Sequence, residues 1–140
     1  MNFSIVIPLY NKAPYVKEKL LSVINQTKLP IELIIVDDKS TDEGLQIVRD
    51  YLEEKAPQFK DIQVELIELE ENRGVGFARN VGFIKTTGDV VSYLDADDLY
   101  STDLSVTSDI LMSFYGVDFL TLVLHFLPSN GLSPNLEKLN

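Results

Sequence analysis

Near its amino terminus the chain contains Phe3-Ser4-Ile5-Val6-Ile7-Pro8-Leu9, a run that is almost continuously apolar. Such a run is typical of a strand buried on both faces, as the inner strands of parallel sheets are. The segment after it has apolar residues at helical spacing, at Val16, Leu20, Val23 and Ile24. A buried strand followed by a helix packed against it is therefore predicted at the start of the chain.

Three further strands are predicted along the chain. Residues 31–36 and 90–94 are short apolar runs, and residues 62–69 alternate apolar with polar side chains, as a strand near an edge does. Because helical patterns lie between these strands, we predict an α/β fold with a mainly parallel sheet covered on both faces. A helix over 102–115 and another strand over 118–127 follow in the same pattern.

Two of the predicted helices carry more specific signals. Ser40 stands three residues before Glu43, the spacing of a capping box, which predicts that a helix begins there. In the helix between the third and fourth strands, the apolar spacing predicts that Phe77, Val81 and Ile84 face the sheet.

Composition limits the classes of function. The 140 residues include no cysteine, which excludes disulfides and thiolate metal sites, and they predict one domain in a reducing compartment, the cytoplasm. The formal net charge of −10 argues against nucleic acid as a partner, because such a surface repels a phosphate backbone. The longest apolar run, residues 119–127, is too short to cross a bilayer, so no transmembrane segment is expected.

Acidic residues follow two of the predicted strands at the point where each strand ends. Parallel sheets bind ligands beyond the carboxyl ends of their strands, so these side chains should share one edge. Crowded carboxylates need a neutralising partner, and Mg²⁺ or Mn²⁺ prefers oxygen ligands of this kind. Each aspartate could instead cap the next helix, but two clusters at equivalent strand ends favour a common site. The residues concerned are Asp37, Asp38, Asp95, Asp97 and Asp98.

Four motifs in this order resemble those of family 2 glycosyltransferases of the GT-A fold. They are SIVIPLYN at 4–11, VDDKSTD at 36–42, NRG with ARN at 72–80, and YLDADD at 93–98. The resemblance implies a Rossmann-like, three-layer α/β/α architecture with a mainly parallel central sheet. It implies a nucleotide-sugar-binding GT-A domain over residues 1–127, followed by an irregular tail over 128–140. The family's catalytic domain is normally longer, so this domain is expected to be partial.

The resemblance also implies roles for single residues. Asp38 would accept a hydrogen bond from the base, commonly uracil. Asp95 would reach the ribose or the metal, and Asp97 would hold Mn²⁺ or Mg²⁺ against the diphosphate. Lys39 stands where the family often has glycine. The implied nucleotide-binding residues are Pro8, Leu9, Tyr10, Asn11, Asp37, Asp38, Arg73, Arg79, Asp95 and Ala96.

The activity implied by the resemblance is transfer of a sugar from a nucleoside-diphosphate sugar, commonly UDP-linked, to an acceptor hydroxyl. The acceptor would be a saccharide or a lipid-linked molecule, the transfer would invert the anomeric centre, and the protein could lie at the inner face of the membrane. No catalytic base can be assigned, because Asp118 and Glu137, the late carboxylates, lie in no family motif. A non-catalytic fragment that binds the donor is the alternative. A phosphoacceptor receiver domain fits less well, because it needs an aspartate where Leu69-Glu70 ends the third strand.

Overall fold

A computed structural model describes residues 2–94 of the chain. The predicted alternation of strands and helices is confirmed there, with strand bounds that differ from the predicted ones by at most one residue. The predictions for residues 102–115, 118–127 and 128–140 lie outside the described residues. The elements are β1 (Phe3–Leu9), α1 (Val16–Ile24), β2 (Glu32–Asp37), α2 (Gly44–Glu54), a short 3-10 helix (Ala56–Phe59), β3 (Gln63–Glu68), α3 (Val75–Lys85) and β4 (Val90–Tyr93).

The four strands form a parallel sheet in the order β3-β2-β1-β4. In this sheet Leu9 lies opposite Asp37 and Val6 lies opposite Tyr93. The chain moves outward from β1 to β3 and then returns to the other side of β1. This reversal puts a crevice beside the carboxyl end of β1, where ligands of open α/β sheets bind.

β3 is the outer strand on one side of the described sheet, as its alternating sequence predicts. Two of its glutamates are paired with helix side chains on opposite faces. Glu68 pairs with Arg49 of α2, and Glu65 lies 4.0 Å from the Nζ of Lys85 in α3. These side chains are about half exposed, so each pair contributes little to stability.

Both faces of the sheet are covered by helices. On one face the buried side chains of β1 and β2, among them Ile7 and Ile35, pack with Leu20 of α1 and Val48 of α2. On the other face Val6, Ile34 and Val36 pack with Ala78 of α3. The predicted three-layer α/β/α arrangement is therefore confirmed for residues 2–94.

α3 lies unusually close to the sheet at one residue. A Cβ added to Gly82 would collide with Cγ1 of Val6 and would lie 3.3 Å from Cγ2 of Val36. Ala78, one helical turn earlier, is fully buried on the same face. The small side chains of α3 therefore face the sheet and let the helix backbone approach it.

This close approach corrects one prediction about α3. Phe77 and Ile84 do not face the sheet as their spacing predicted, and they are 38% and 79% exposed. Val81 is partly buried against the sheet, as expected. The helix is rotated so that its small residues make the contact, which turns the two larger side chains away.

A buried carboxylate fixes the amino edge of the sheet. Glu32, at the start of β2, accepts hydrogen bonds from Ser4 Oγ at 2.6 Å, from the Thr87 hydroxyl at 3.2 Å and from the backbone of Thr87 and Gly88. Burial raises the pKa of Glu32, but these hydrogen bonds outweigh it and hold that pKa below its usual value. The stability that Glu32 contributes is therefore present at neutral pH and is lost as the pH falls through this lowered pKa.

Replacing Gly82 with alanine tests the close approach of α3. We expect Gly82→Ala to lower the free energy of unfolding by about 1–3 kcal/mol, because the added methyl overpacks Val6. Gly76→Ala in the same helix is the matched control, since its added Cβ meets nothing within 4 Å. That variant should gain about 0.5–1 kcal/mol from helix propensity. Urea unfolding measures both, and equal stability of the two variants would contradict the packing.

Candidate functional site

The polar residues predicted to form a site do lie on one edge of the sheet, as far as the structure describes them. Asp37 ends β2, Asp38 follows it, and Tyr10 follows β1 with 43% of its surface exposed. The loop after β3 reaches the same edge through Arg73. β4 runs parallel to β1 toward this edge, and the residues that follow it, including Asp95, Ala96, Asp97 and Asp98, lie outside the described residues.

Asp38 joins the end of β1, the end of β2 and the loop that leads from β3 to α3. Its backbone N–H donates to the carbonyl oxygen of Leu9 at 2.8 Å. Its side chain accepts the backbone N–H of Arg73 at 2.7 Å and that of Gly74 at 2.9 Å, and Asp38 is only 2% exposed. Gly74 has φ 92° at the start of α3, a conformation that glycine adopts easily. Asp38 therefore shapes the turn into α3, and its role toward a base stays a prediction.

Asp37 has one carboxylate oxygen with a partner and one without. Its Oδ2 accepts the backbone N–H of Ser40 at 3.2 Å. Its Oδ1 is buried and has no hydrogen-bond partner among residues 2–94. A buried acceptor without a donor is costly, so this oxygen is an unsatisfied polar group at the edge of the sheet.

A second set of hydrogen bonds, here called the loop clasp, joins the loop after β1 to the loop after β2. The Oδ1 of Asn11 accepts from the N–H of Thr41 at 2.8 Å, from its hydroxyl at 3.2 Å, and from the N–H of Asp42 at 3.2 Å. The N–H of Asn11 donates to Ser40 Oγ at 3.1 Å, and that of Ala13 donates to Asp42 Oδ2 at 3.0 Å. The clasp consists of Asn11, Ala13, Ser40, Thr41 and Asp42.

The clasp explains why the predicted capping box is wrong. α2 begins at Gly44, and neither Ser40 nor Glu43 makes a side-chain cap. The hydroxyl of Ser40 accepts the backbone N–H of Asn11, and Asp42 Oδ1 accepts the N–H of Gly44 at 2.8 Å instead. No role for Asp42 follows from the sequence pattern. An aspartate two residues before a glycine is a signal for such a turn, but its partner Ala13 is too far away in sequence to be inferred.

The predicted residues of β1 reach the site to different degrees. Pro8 is buried, and the Leu9 side chain lies in the core at 1% exposure, so Leu9 meets the edge through its backbone carbonyl. Tyr10 is exposed at the edge. Of these three, Tyr10 offers a side chain that a ligand could contact directly.

The two predicted arginines contact different aromatic rings. The guanidinium of Arg73 is stacked over Phe77 at 4.4 Å from the ring centre, and its Nη1 is 3.3 Å from a carboxylate oxygen of Glu71. The guanidinium of Arg79 lies 5.9 Å from the ring of Tyr93, at the end of β4. Tyr93 is 40% exposed; burial raises its pKa and the Arg79 charge partly offsets this. Arg79 is thus the arginine beside the segment that leads to Asp95.

Residues 2–94 contain no group of three or more side chains able to hold a metal ion, and within them no helix is both long and apolar enough to cross a membrane. The carboxylates predicted to bind a cation are Asp95 and Asp97, which the described range does not include.

Comparison with known sequences identifies the family to which this chain belongs. The sequence model described as glycosyl transferase family 2 matches residues 4–107, so the chain belongs to that family. A glycosyltransferase of Haemophilus influenzae is 38% identical over 100 residues, which are 71% of this chain and 38% of the relative.

Two solved structures share the fold. TarS of Staphylococcus aureus, solved with UDP, is 31% identical with a TM-score of 0.70 over 83% of this chain and 33% of the other. The mannosyltransferase PcManGT of Pyrobaculum calidifontis, solved with GDP-Man and Mn²⁺, is 30% identical with a TM-score of 0.70 over 80% of this chain and 32% of the other. The predicted GT-A fold is therefore confirmed. The chain spans little more than a third of the curated relative and about a third of these structures.

The hydrogen bonds of Asp38 can be tested by removing its side chain. We expect Asp38→Ala to lower the free energy of unfolding by about 1–3 kcal/mol, since two backbone N–H groups lose their acceptor. The amides of Arg73 and Gly74 should then exchange faster with solvent, as measured by NMR. Asp61→Ala, at an exposed carboxylate, removes the same charge and should leave their exchange unchanged. Unchanged exchange in Asp38→Ala would contradict the assignment.

Lys39 occupies a backbone conformation that favours glycine, with φ 62°. The left-handed backbone conformation costs a non-glycine residue about 1–2 kcal/mol. Substitution by glycine removes this cost, but part of the gain is lost because glycine makes the unfolded chain more flexible. We expect Lys39→Gly to stabilise the protein by about 0.5–1 kcal/mol. Lys60→Gly loses the same charge at φ −57° and should destabilise it. Thermal unfolding measures the stability of both variants, and a Lys39→Gly variant less stable than the wild type would contradict the expectation.

Proposed function

We propose that this chain provides the donor-nucleotide half of a glycosyltransferase site. The protein would transfer a sugar from a UDP-linked donor to a hydroxyl of a saccharide or lipid-linked acceptor, with inversion. The observation that carries the proposal is the buried pair Asp37 and Asp38 at the carboxyl end of β2, in a chain of glycosyl transferase family 2. We take the donor-binding unit to extend over residues 1–127.

Contacts at the edge of the sheet support a nucleoside at this position. Tyr10, exposed after β1, offers an aromatic face on which a base can stack. The bare Oδ1 of Asp37 would accept a hydrogen bond from an N–H or O–H group of the nucleoside. The carboxylate of Asp38 has lone pairs beyond the two that its backbone donors use, so it could accept a further bond from the base.

One of the two similar solved structures supports uridine as the nucleoside, and this choice can be tested. TarS was solved with UDP and also with UDP-GlcNAc, whereas PcManGT was solved with GDP-Man. Guanine and uracil differ in size and in the pattern of donors they present. A pocket bounded by Tyr10 and the two aspartates should therefore discriminate between the two bases.

We assign the cation, Mn²⁺ or Mg²⁺, to Asp95 and Asp97. Two carboxylates suit such a hard cation, which often completes its shell with water and substrate phosphate oxygens. Residues 2–94 hold no three-ligand group of their own, which is compatible with a site completed by the donor. When bound, the cation would supply Lewis-acid stabilisation of the departing diphosphate. Arg79, beside the end of β4, would add positive charge near the same diphosphate.

Calorimetric titration with UDP, GDP and ADP, each with MnCl₂ and with chelator, tests the proposal. We expect UDP to bind in Mn²⁺ more tightly than GDP or ADP, because the pocket reads the base. Asp97→Asn should remove the Mn²⁺ dependence, and Asp38→Ala should reduce the preference for UDP. Asp61→Ala serves as the control, because it changes the net charge equally at an exposed site away from the edge.

Three results of this titration would count against the proposal. If no nucleoside diphosphate binds in Mn²⁺, the donor site itself is wrong. Equal affinity in chelator and in Asp97→Asn would remove the cation, and unchanged selectivity in Asp38→Ala would remove Asp38 from the base pocket. Release of UDP from UDP-GlcNAc, measured separately, distinguishes a catalytic chain from one that binds its donor without turnover.

A further inference from the structure

The loop clasp holds residues that the proposed donor would contact. Asn11 follows Tyr10 directly and has φ 50°, and Lys39 follows Asp38 directly and has φ 62°. Backbone in this region is costly for residues with a side chain and persists where its surroundings fix it. The clasp supplies that fixation for Asn11 through bonds to a loop about 30 residues away in sequence.

Ser40 connects the clasp to the aspartate pair. Its hydroxyl accepts the N–H of Asn11, and its own N–H donates to Oδ2 of Asp37. Two hydrogen bonds therefore link the backbone next to Tyr10 to the carboxylate of Asp37. Tyr10 would stack on the base, and Asp37 has the buried oxygen without a donor. If those bonds are lost, the backbone bond from Asp38 to Leu9 still joins the two strand ends, but Tyr10 loses the contact that fixes it relative to Asp37.

We infer that Asn11 and Asp42 are positioning residues for the nucleoside end of the donor, an inference that rests on the proposed function. The carboxamide oxygen of Asn11 already accepts three donors from the facing loop, so the side chain acts through the clasp. Asp42 completes it by holding Ala13 and Gly44. A preordered pocket loses less conformational freedom when the ligand binds, which raises affinity without a new contact.

The inference separates the two ends of the donor. The clasp lies on the loops after β1 and β2, whereas the proposed cation site follows β4. Loss of the clasp should therefore weaken UDP in Mn²⁺ and UMP in chelator by the same factor. Loss of a cation ligand, as in Asp97→Asn, should weaken UDP alone.

The test compares the full chain with Asn11→Gly, Asp42→Ala and the double variant, titrated with UDP in MnCl₂ and with UMP in EDTA. Glycine tolerates φ 50°, so Asn11→Gly removes the carboxamide without straining the backbone. We expect each single variant to weaken both ligands about fivefold to tenfold, a loss no larger than that of the two or three hydrogen bonds that each variant removes. The double variant should be little weaker than the worse single variant, because both substitutions open one clasp.

Two controls separate positioning from general loss of stability. Ser4→Ala removes the bond to Glu32 at 2.6 Å and the acceptor of the Gly88 N–H at 3.0 Å, at the opposite edge of the sheet. It should lower stability in urea but bind both ligands as the wild type does. Asp42→Asn removes the same charge as Asp42→Ala but keeps an acceptor oxygen, so its affinities should lie between those of Asp42→Ala and the wild type.

Several results would overturn the inference. Variants that are less stable but bind as the wild type does would make the clasp structural only. Weakening of UDP but not of UMP in Asn11→Gly would place its effect at the diphosphate. Additive losses in the double variant would mean that Asn11 acts independently of Asp42. Failure of the wild type to bind either ligand would overturn the proposed function, and this inference with it.

Discussion

Backbone hydrogen bonding along both sides of β1 is the constraint on which the rest of the structure depends. β1 pairs with β2 as far as Leu9 opposite Asp37, and with β4 as far as Val6 opposite Tyr93. Both faces of β1 are buried, so its backbone groups have to be satisfied within the sheet. Because all these pairs are parallel, every loop that leaves the carboxyl end of a strand starts from the same edge. The polar residues meet there as a result of this pairing.

The two edges of the sheet differ in how completely their carboxylates are satisfied. At the amino edge, Glu32 receives hydrogen bonds from Ser4, Thr87 and Gly88, which together fix the entry to β4. At the carboxyl edge, Asp38 is satisfied by two backbone donors, but Asp37 keeps a buried oxygen without one among the described residues. The hydrogen bonds at the first edge stabilise the fold. The second combines a rigid frame with an acceptor left over, which is the condition expected of a binding site.

The sequence predicted the features that depend on local pattern. Within residues 2–94, the order of elements, the parallel sheet, the outer position of β3 and the place of Asp37 and Asp38 follow from apolar periodicity and from the rule that strand ends share an edge. The sequence did not predict the features that depend on a contact with a residue distant in the chain. Ser40 has the spacing of a helix cap, but its hydroxyl accepts the backbone N–H of Asn11 in the neighbouring loop. Phe77 has the spacing of a core residue, but the tight contact at Gly82 sets the rotation of α3. Such partners leave no periodic signal in the chain.

The charged pairs on β3 have a consequence for how copies of the protein behave together. An outer strand exposes backbone donors and acceptors that can pair with another molecule, and charged side chains discourage such association. Glu65 and Glu68 lie on opposite faces of this strand, each held by a cation from a different helix. A second copy approaching edge to edge would have to bring its own glutamates against these, in a chain that already carries a net charge of −10. The same side chains that contribute little to the fold thus oppose aggregation through β3, the outer strand of the described sheet.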